Sequence, residues 1–168
     1  MIIKFFFILI ISLFITIAHS KEKESHASGK EGEAWIRKGP PPASSYRLGY
    51  KEFLRAEKLD KKGKNKKAII KYKKAFDFLL EANAENPADP DNLYYLGLTS
   101  AKLGELENAE IYYLLGLELE PYHIGIYKDL GKLYLNTNRK NKAIEKLELF
   151  KSCNCKEYEE LKKLIEKN

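Results

Sequence analysis

Residues 90–123 read PDNLYYLGLTSAKLGELENAEIYYLLGLELEPYH, and residues 124–155, IGIYKDLGKLYLNTNRKNKAIEKLELFKSCNC, align with them without a gap. Gly97 and Gly131 stand 34 residues apart, as do Ala109 and Ala143. Apolar residues recur at helical spacing, and no segment after residue 44 alternates like a strand. A repeated unit of this length predicts a stack of helical hairpins, two helices in each unit.

Small residues recur at two kinds of position in each unit, the contact between its helices and the turn that joins them. Two helices approach most closely where side chains are smallest, so we expect Gly97 and Gly131 to lie against Ala109 and Ala143. A left-handed residue is expected at the turn between the two helices, where Gly104 and Asn138 occupy equivalent places.

A weaker copy precedes the two aligned units. Ala75 and Leu79 fit the same register, but Gly63 lies 41 residues before Gly104, which inserts seven residues, about two helical turns. The second helix of this copy, residues 66–84, is therefore expected to be two turns longer and to bury Ala68 and Tyr72 as well. The first helix, residues 44–61, would bury Tyr50, Phe53, Leu54 and Leu59. After the last unit, residues 157–167 predict a capping helix that buries Tyr158, Leu161, Leu164 and Ile165.

These features resemble the tetratricopeptide-repeat family, strongly over residues 90–155 and less strongly over residues 46–86. More narrowly, the segments 123–125, 130–135 and 153–162 are similar to small secreted repeat proteins of alphaproteobacteria. The resemblance implies an all-α solenoid of about three hairpins plus a C-terminal capping helix. It also implies a scaffold for protein–protein or peptide binding rather than an enzyme.

In this family the first helix of each hairpin lines a concave groove. The resemblance places eight residues there: Tyr94, Leu98, Ala101, Lys102, Lys128, Lys132, Leu135 and Asn136. The groove is expected to be basic with an apolar floor, which suits a protein or peptide partner, and an acidic one in particular. Some relatives clamp the carboxylate tails of chaperones with a Lys and an Asn. Leu98 and Lys132 stand where that Asn is needed, so we do not expect such tails to bind. The alternative is that the lysines are ordinary solvated surface.

The first 43 residues predict export. Residues 1–20 have the three-part layout of a signal peptide, with a cut after Ser20, which would make the protein periplasmic or secreted. If this segment is not cleaved, it would anchor the chain in the inner membrane, and the chain would be a structural subunit of an envelope assembly. Residues 21–43 are rich in Lys, Glu, Gly and Pro and predict a flexible leader, and residues 44–168 form the repeat domain.

Cys153 and Cys155 leave three interpretations open. In a helix, side chains two residues apart point in nearly opposite directions. The two cysteines can therefore form a disulfide only if the chain turns at Asn154. A structural disulfide, free thiols and a thiol/disulfide redox protein that uses the Cys-x-Cys pair are the alternatives. In the proteins of the narrower resemblance a cysteine pair with wider spacing precedes a similar helix.

The sequence offers no catalytic constellation, no metal-ligand motif and no cofactor-binding loop. The net charge of +6 comes mostly from lysines interleaved with glutamates. This pattern is typical of a solvated surface, and nucleic-acid binding is not predicted.

Overall fold

The computed structural model of the protein describes residues 44–168, so the predicted signal peptide and leader lie outside the described residues. The regular elements within this range are all helical. They are α1 (Ser45–Asp60), α2 (Asn65–Glu85), α3 (Pro90–Leu103), α4 (Leu106–Leu119), α5 (Ile124–Asn136), α6 (Lys140–Leu149), a short 3-10 turn (Lys151–Cys153) and α7 (Lys156–Lys167). Helices α1 and α2, α3 and α4, and α5 and α6 form three hairpins, and α7 follows them. The predicted all-α solenoid of three hairpins with a capping helix is confirmed.

Local sequence sets where the helices begin and end. Asp89 caps α3 by accepting a hydrogen bond from the backbone N–H of Asn92 (3.2 Å), and proline follows as the first helical residue. Gly104 ends α3 with φ 84°, and Asn138 has φ 57° in the equivalent turn between α5 and α6. These left-handed turn residues confirm the spacing that the sequence predicted.

The second helix of the first hairpin is longer than its counterpart in the next. Helix α2 has 21 residues and α4 has 14. The buried face of α2 continues through both extra turns and consists of Ala68, Tyr72, Ala75, Leu79 and Ala82. The prediction of a helix extended by two turns with an unchanged buried face is confirmed.

The rotation of α1 differs in part from the prediction. Phe53 is buried as expected, but Leu54 is 45% exposed. The reason is Gly49, because a Cβ atom there would stand 2.7 Å from Leu79, so α1 turns this glycine toward α2. Phe53 and Ala56 follow Gly49 by one and two turns of α1, so they also face the core. Leu54 lies on another side of the helix and points away from the core.

The glycines of the aligned units make room for side chains other than the expected alanines. A Cβ atom on Gly97 would lie 2.5 Å from the ring of Tyr113, and one on Gly131 would lie 2.5 Å from Leu161 of α7. The side chains nearest to the two glycines are therefore those of Tyr113 and Leu161, whereas the expected partners Ala109 and Ala143 are fully buried in the same core. A bulky side chain one turn further along the facing helix, or on the cap, fills the space where glycine has none.

Helix α7 closes the end of the stack. It packs against α5 and α6, and its residues Leu161 and Ile165 join the apolar cluster of the last hairpin. Tyr158 also packs against this cluster, as predicted. None of the helices in residues 44–168 combines the length and the apolar character needed to cross a bilayer.

Candidate functional site

A groove of about 620 Å³ runs along the first helices of the three hairpins, α1, α3 and α5. Most of its lining comes from these helices, with Leu106 and Tyr113 contributed by α4. The lining residues are Phe53, Leu54, Glu57, Tyr94, Tyr95, Leu98, Ala101, Lys102, Leu106, Tyr113, Lys128, Asp129, Lys132, Leu133 and Asn136. Side chains one to two turns apart on parallel helices therefore converge on one concave surface.

The structure brings seven of the eight sequence-predicted groove residues together in this lining: Tyr94, Leu98, Ala101, Lys102, Lys128, Lys132 and Asn136. Leu135 is not among the lining residues. It packs instead against the apolar cluster that contains Leu161 and Ile165 of α7.

Asp129 is the main groove residue that the sequence analysis missed. It lies on α5, and its carboxylate accepts a 2.8 Å hydrogen bond from the hydroxyl of Tyr94 on α3. The ammonium groups of Lys132 and Lys128 lie 3.2 Å and 3.9 Å from the same carboxylate. Tyr95, the residue equivalent to Asp129 in the preceding unit, also lines the groove. Both are the sixth residue of their repeat unit, and this shared position could have identified them from the sequence.

The charge of the groove is more balanced than predicted. Glu57 and Asp129 line it together with the three lysines, so the excess of positive charge is smaller than the sequence alone indicates. Lys102 is also engaged, because its ammonium group lies 2.9 Å from the carboxylate of Asp60. Lys128 has the longest of these ion-pair distances, and its side chain is only 18% exposed. Its charge is therefore the one that a ligand can engage with the smallest loss of existing contacts.

Glu160 of the capping helix lies in the electrostatic reach of the same lysines. The hydrogen bond from Lys156 lowers the pKa of this carboxyl, and the positive charges of Lys128 and Lys132 lower it further. The capping helix thus brings a carboxylate toward the groove lysines of α5. This carboxylate reduces the positive potential that the lysines present to a ligand.

Aromatic rings form the floor of the groove. The ring of Tyr95 lies 5.3 Å from that of Phe53 and 5.3 Å from that of Tyr94, which in turn lies 6.3 Å from Tyr113. Burial raises the pKa of Tyr94, and the neighbouring charge of Asp129 raises it further, so this hydroxyl stays protonated and acts as a donor. Rigid rings held in this way offer apolar area at a low cost in conformational entropy.

The two cysteines lie outside the groove, between α6 and α7. Their sulfur atoms are bonded to each other, and their Cα atoms are 5.1 Å apart. Asn154 between them has φ 47°, so the chain turns at this residue. Both cysteines pack against the apolar cluster of the last hairpin. Within residues 44–168 no group of three or more His, Cys, Asp or Glu side chains is arranged to hold a metal ion.

Comparison with known proteins identifies the architecture. No protein-family model and no curated protein sequence matches the chain. Among solved structures, the first tetratricopeptide-repeat domain of Spaghetti (RPAP3), bound to the HSP90 peptide SRMEEVD, superposes with a TM-score of 0.54 at 18% identity and covers 76% of this chain and 97% of that one. The Sgt2 tetratricopeptide-repeat domain from Aspergillus fumigatus gives a TM-score of 0.56 at 17% identity, covering 77% and 83%.

A bacterial structure is also similar. The type III secretion chaperone SycD of Yersinia enterocolitica, in complex with a peptide of the translocator YopD, gives a TM-score of 0.53 at 17% identity. It covers 70% of this chain and 86% of that one. Three helical hairpins with repeated glycine positions, a capping helix and these similarities together show that residues 44–168 have the tetratricopeptide-repeat fold.

Proposed function

We propose that the protein is an interaction module that binds one extended segment of a partner protein in the groove between α1, α3 and α5. The groove itself carries this proposal, because it combines an aromatic floor with charged side chains at its wall on one concave surface. A groove of this kind buries the side chains of an extended peptide while its polar groups fix the register.

The structural neighbours support peptide binding as the mode of action. The RPAP3 domain is described with an HSP90 peptide and SycD with a YopD peptide. The resemblance in fold makes peptide recognition the function to test first, and the side chains of this chain decide which peptide fits.

The proposed ligand carries an acidic group next to an apolar side chain. Lys128 and Lys132 would bind the acidic group, since the one ion pair that Lys128 forms among residues 44–168 is the long 3.9 Å contact to Asp129. The half-buried surfaces of Tyr94 and Leu98 would accept the apolar side chain. Charge attraction would steer the segment, and burial of the apolar side chain would provide most of the affinity.

The tails of chaperones remain a poor fit to this groove. Gly49 packs on α2 as Gly97 packs on α4, so Tyr46 and Tyr50 of α1 occupy the places that Tyr94 and Leu98 occupy on α3. No asparagine stands at the second of these places in α1, α3 or α5. The proposed partner therefore differs in sequence from the peptides bound by the RPAP3 domain.

Residues 1–20 would direct this module out of the cytoplasm, and we include export, with cleavage after Ser20, in the proposal. The apolar run followed by a small-residue cleavage site supports it. N-terminal sequencing of the protein recovered from the cell envelope is expected to begin at Lys21. A chain that begins at Met1 would replace export with membrane anchoring.

Binding of an array of synthetic extended peptides tests the proposed groove. We expect a subset with acidic and apolar residues to bind the wild-type protein. Reversal of two groove charges, Lys128→Glu with Lys132→Glu, should abolish that binding, whereas the same reversal at the exposed turn residues Lys61 and Lys62 should not. Equal losses in the two double variants would show that net charge, not the groove, drives binding.

A further inference from the structure

The outer layer of the solenoid carries exposed apolar side chains on two neighbouring helices. On α2 these are Ile69 and Ile70, and on α4 they are Ile111, Leu114 and Leu115. Ile70 is 56% exposed and Ile111 is 54% exposed. A cluster of branched apolar side chains that faces water is typical of an interaction surface.

Charged residues flank both apolar segments, and their signs are opposite. On α2, lysines stand on either side of the isoleucines, and on α4, glutamates stand on either side of the apolar residues. The flanking residues are Lys66, Lys67, Lys73 and Lys74 on α2, and Glu107 and Glu118 on α4. Helix α4 contains no lysine or arginine at all. The N-terminal half of α2, residues 66–74, therefore presents an apolar centre between basic residues, and α4 presents one between acidic residues.

These six charges form no ion pair with any other described residue. Among residues 44–168, none of the six flanking side chains takes part in an ion pair. All six are exposed. The structure thus holds two complementary helix surfaces whose charges do not neutralise each other within one copy.

The two helices lie beside each other in the same layer. The ring of Phe76 on α2 lies 6.3 Å from the ring of Tyr112 on α4. As the second helices of successive hairpins, they also run in the same direction. A two-fold axis between them and parallel to them would place α2 of one copy on α4 of the other, and the reverse contact would form at the same time.

We propose that this face, formed by α2 and α4, is a homodimer interface in which the basic surface of α2 binds the acidic surface of α4 of a second copy. The apolar centres meet in the middle, and the lysines of each α2 pair with the glutamates of the opposite α4. A second copy satisfies both surfaces at once. An anionic membrane would attract only α2, because the glutamates of α4 would repel it. The groove lies on the first helices, so dimerisation by this face leaves it open.

Sedimentation velocity of protein purified after expression of the full chain tests the interface. A concentration-dependent monomer–dimer equilibrium is expected, and it should weaken as salt is added because the charges are exposed. The α2 variant, Lys73→Glu with Lys74→Glu, should weaken dimerisation roughly tenfold or more, as should the α4 variant, Glu107→Lys with Glu118→Lys. The control reversal of Lys162 and Lys163, both exposed on α7, should leave dimerisation unchanged.

A mixture of the two variants tests directly whether α2 of one copy pairs with α4 of the other. In the mixture, the acidic α4 of the α2 variant can pair with the basic α2 of the α4 variant. Neither variant can form this contact with itself, so the two should associate with each other. Recovery of a dimer in the equimolar mixture would also show that both variants are folded. A wild-type protein that stays monomeric at every concentration would overturn the proposal. So would a mixture that stays monomeric, or a dimer that both reversals leave intact.

Discussion

The hydroxyl of Tyr94 donates a 2.8 Å hydrogen bond to the carboxylate of Asp129 and so joins α3 to α5 across the groove. This bond fixes the ring of Tyr94 against the aromatic floor and holds Asp129 beside Lys128 and Lys132. One bond therefore sets both the apolar and the charged part of the candidate site.

Removal of this hydroxyl should destabilise the stack modestly. We expect Tyr94→Phe to lower the free energy of unfolding by about 0.5–1.5 kcal/mol, the typical net value of a hydrogen bond. Urea denaturation measures the change. Tyr122 is 84% exposed, so Tyr122→Phe is a matched control that should leave stability unchanged. Equal stability of the two variants would mean that the bond between α3 and α5 contributes nothing.

Neutralisation of Asp129 should raise affinity for an acidic peptide. In Asp129→Asn, Lys128 and Lys132 lose the carboxylate that competes with the ligand, so we expect binding to tighten roughly fivefold, equivalent to about 1 kcal/mol. Fluorescence anisotropy with a peptide selected from the array measures this. Asp77→Asn, which changes an exposed residue of α2, should have no effect. Weaker binding by Asp129→Asn would show that the aspartate itself contacts the ligand.

Replacement of Gly97 by alanine should destabilise the fold, because the steric clash of the new methyl group outweighs the higher helix propensity of alanine. In Gly97→Ala the new Cβ atom would stand 2.5 Å from the ring of Tyr113. We expect this variant to have a free energy of unfolding about 1–3 kcal/mol lower than the wild type. Gly104→Asn should be close to neutral, because no atom lies within 4 Å of its Cβ position and Asn138 already adopts the left-handed conformation in the equivalent turn. Thermal unfolding compares the two. The packing account fails if the order of their stabilities is reversed.

The buried carboxylate of Glu52 should make stability depend on acid pH. Its side chain is 11% exposed and binds Lys71 of α2 and Arg55 of α1. Burial opposes ionisation, but the hydrogen bonds from Lys71 and Arg55 outweigh it and lower the pKa of this carboxyl below its usual 4.5. The ionised Glu52 therefore contributes its full stabilisation above the usual pKa of 4.5. This stabilisation is lost as the pH falls through the lowered pKa of the folded state.

We accordingly expect Glu52→Gln to reduce stability at neutral pH by roughly 1–3 kcal/mol. The difference from the wild type should shrink as the pH falls below 4.5. Urea denaturation between neutral and acid pH measures both quantities, with Glu145→Gln on the exposed face of α6 as the control. A difference that stays constant down to strongly acid pH would exclude ionisation of Glu52 as its cause.

The sequence predicted the helices of this protein better than their contacts. The period shared by Gly97 and Gly131 located the hairpins correctly. The left-handed conformation at Gly104 and Asn138 is a local backbone requirement, so the sequence also located the turns correctly. Which side chain fills the space above each glycine is a tertiary property, so Tyr113 and Leu161 were not identified. The same holds for Leu54, because the rotation of α1 depends on where Gly49 meets α2.

The candidate site could be predicted in position but not in charge. Tyr94 and Lys128 follow from the register of the repeat together with the groove positions that the family resemblance implies. Asp129 was missed because a carboxylate among lysines reads as a solvated surface charge until its partner from another hairpin is known. The bond between Cys153 and Cys155 was left open for a related reason, since it depends on the conformation of Asn154.

Site-specific photo-crosslinking tests the central claim that the groove binds the partner. A photoreactive side chain would replace either Asn136, which is exposed in the groove lining, or Asn141, which is exposed on α6 outside it. Both positions carry an asparagine, so the same side chain is replaced in the two variants. We expect position 136 to crosslink to a peptide selected from the array and position 141 to give no crosslink. A crosslink from position 141 without one from position 136 would contradict it.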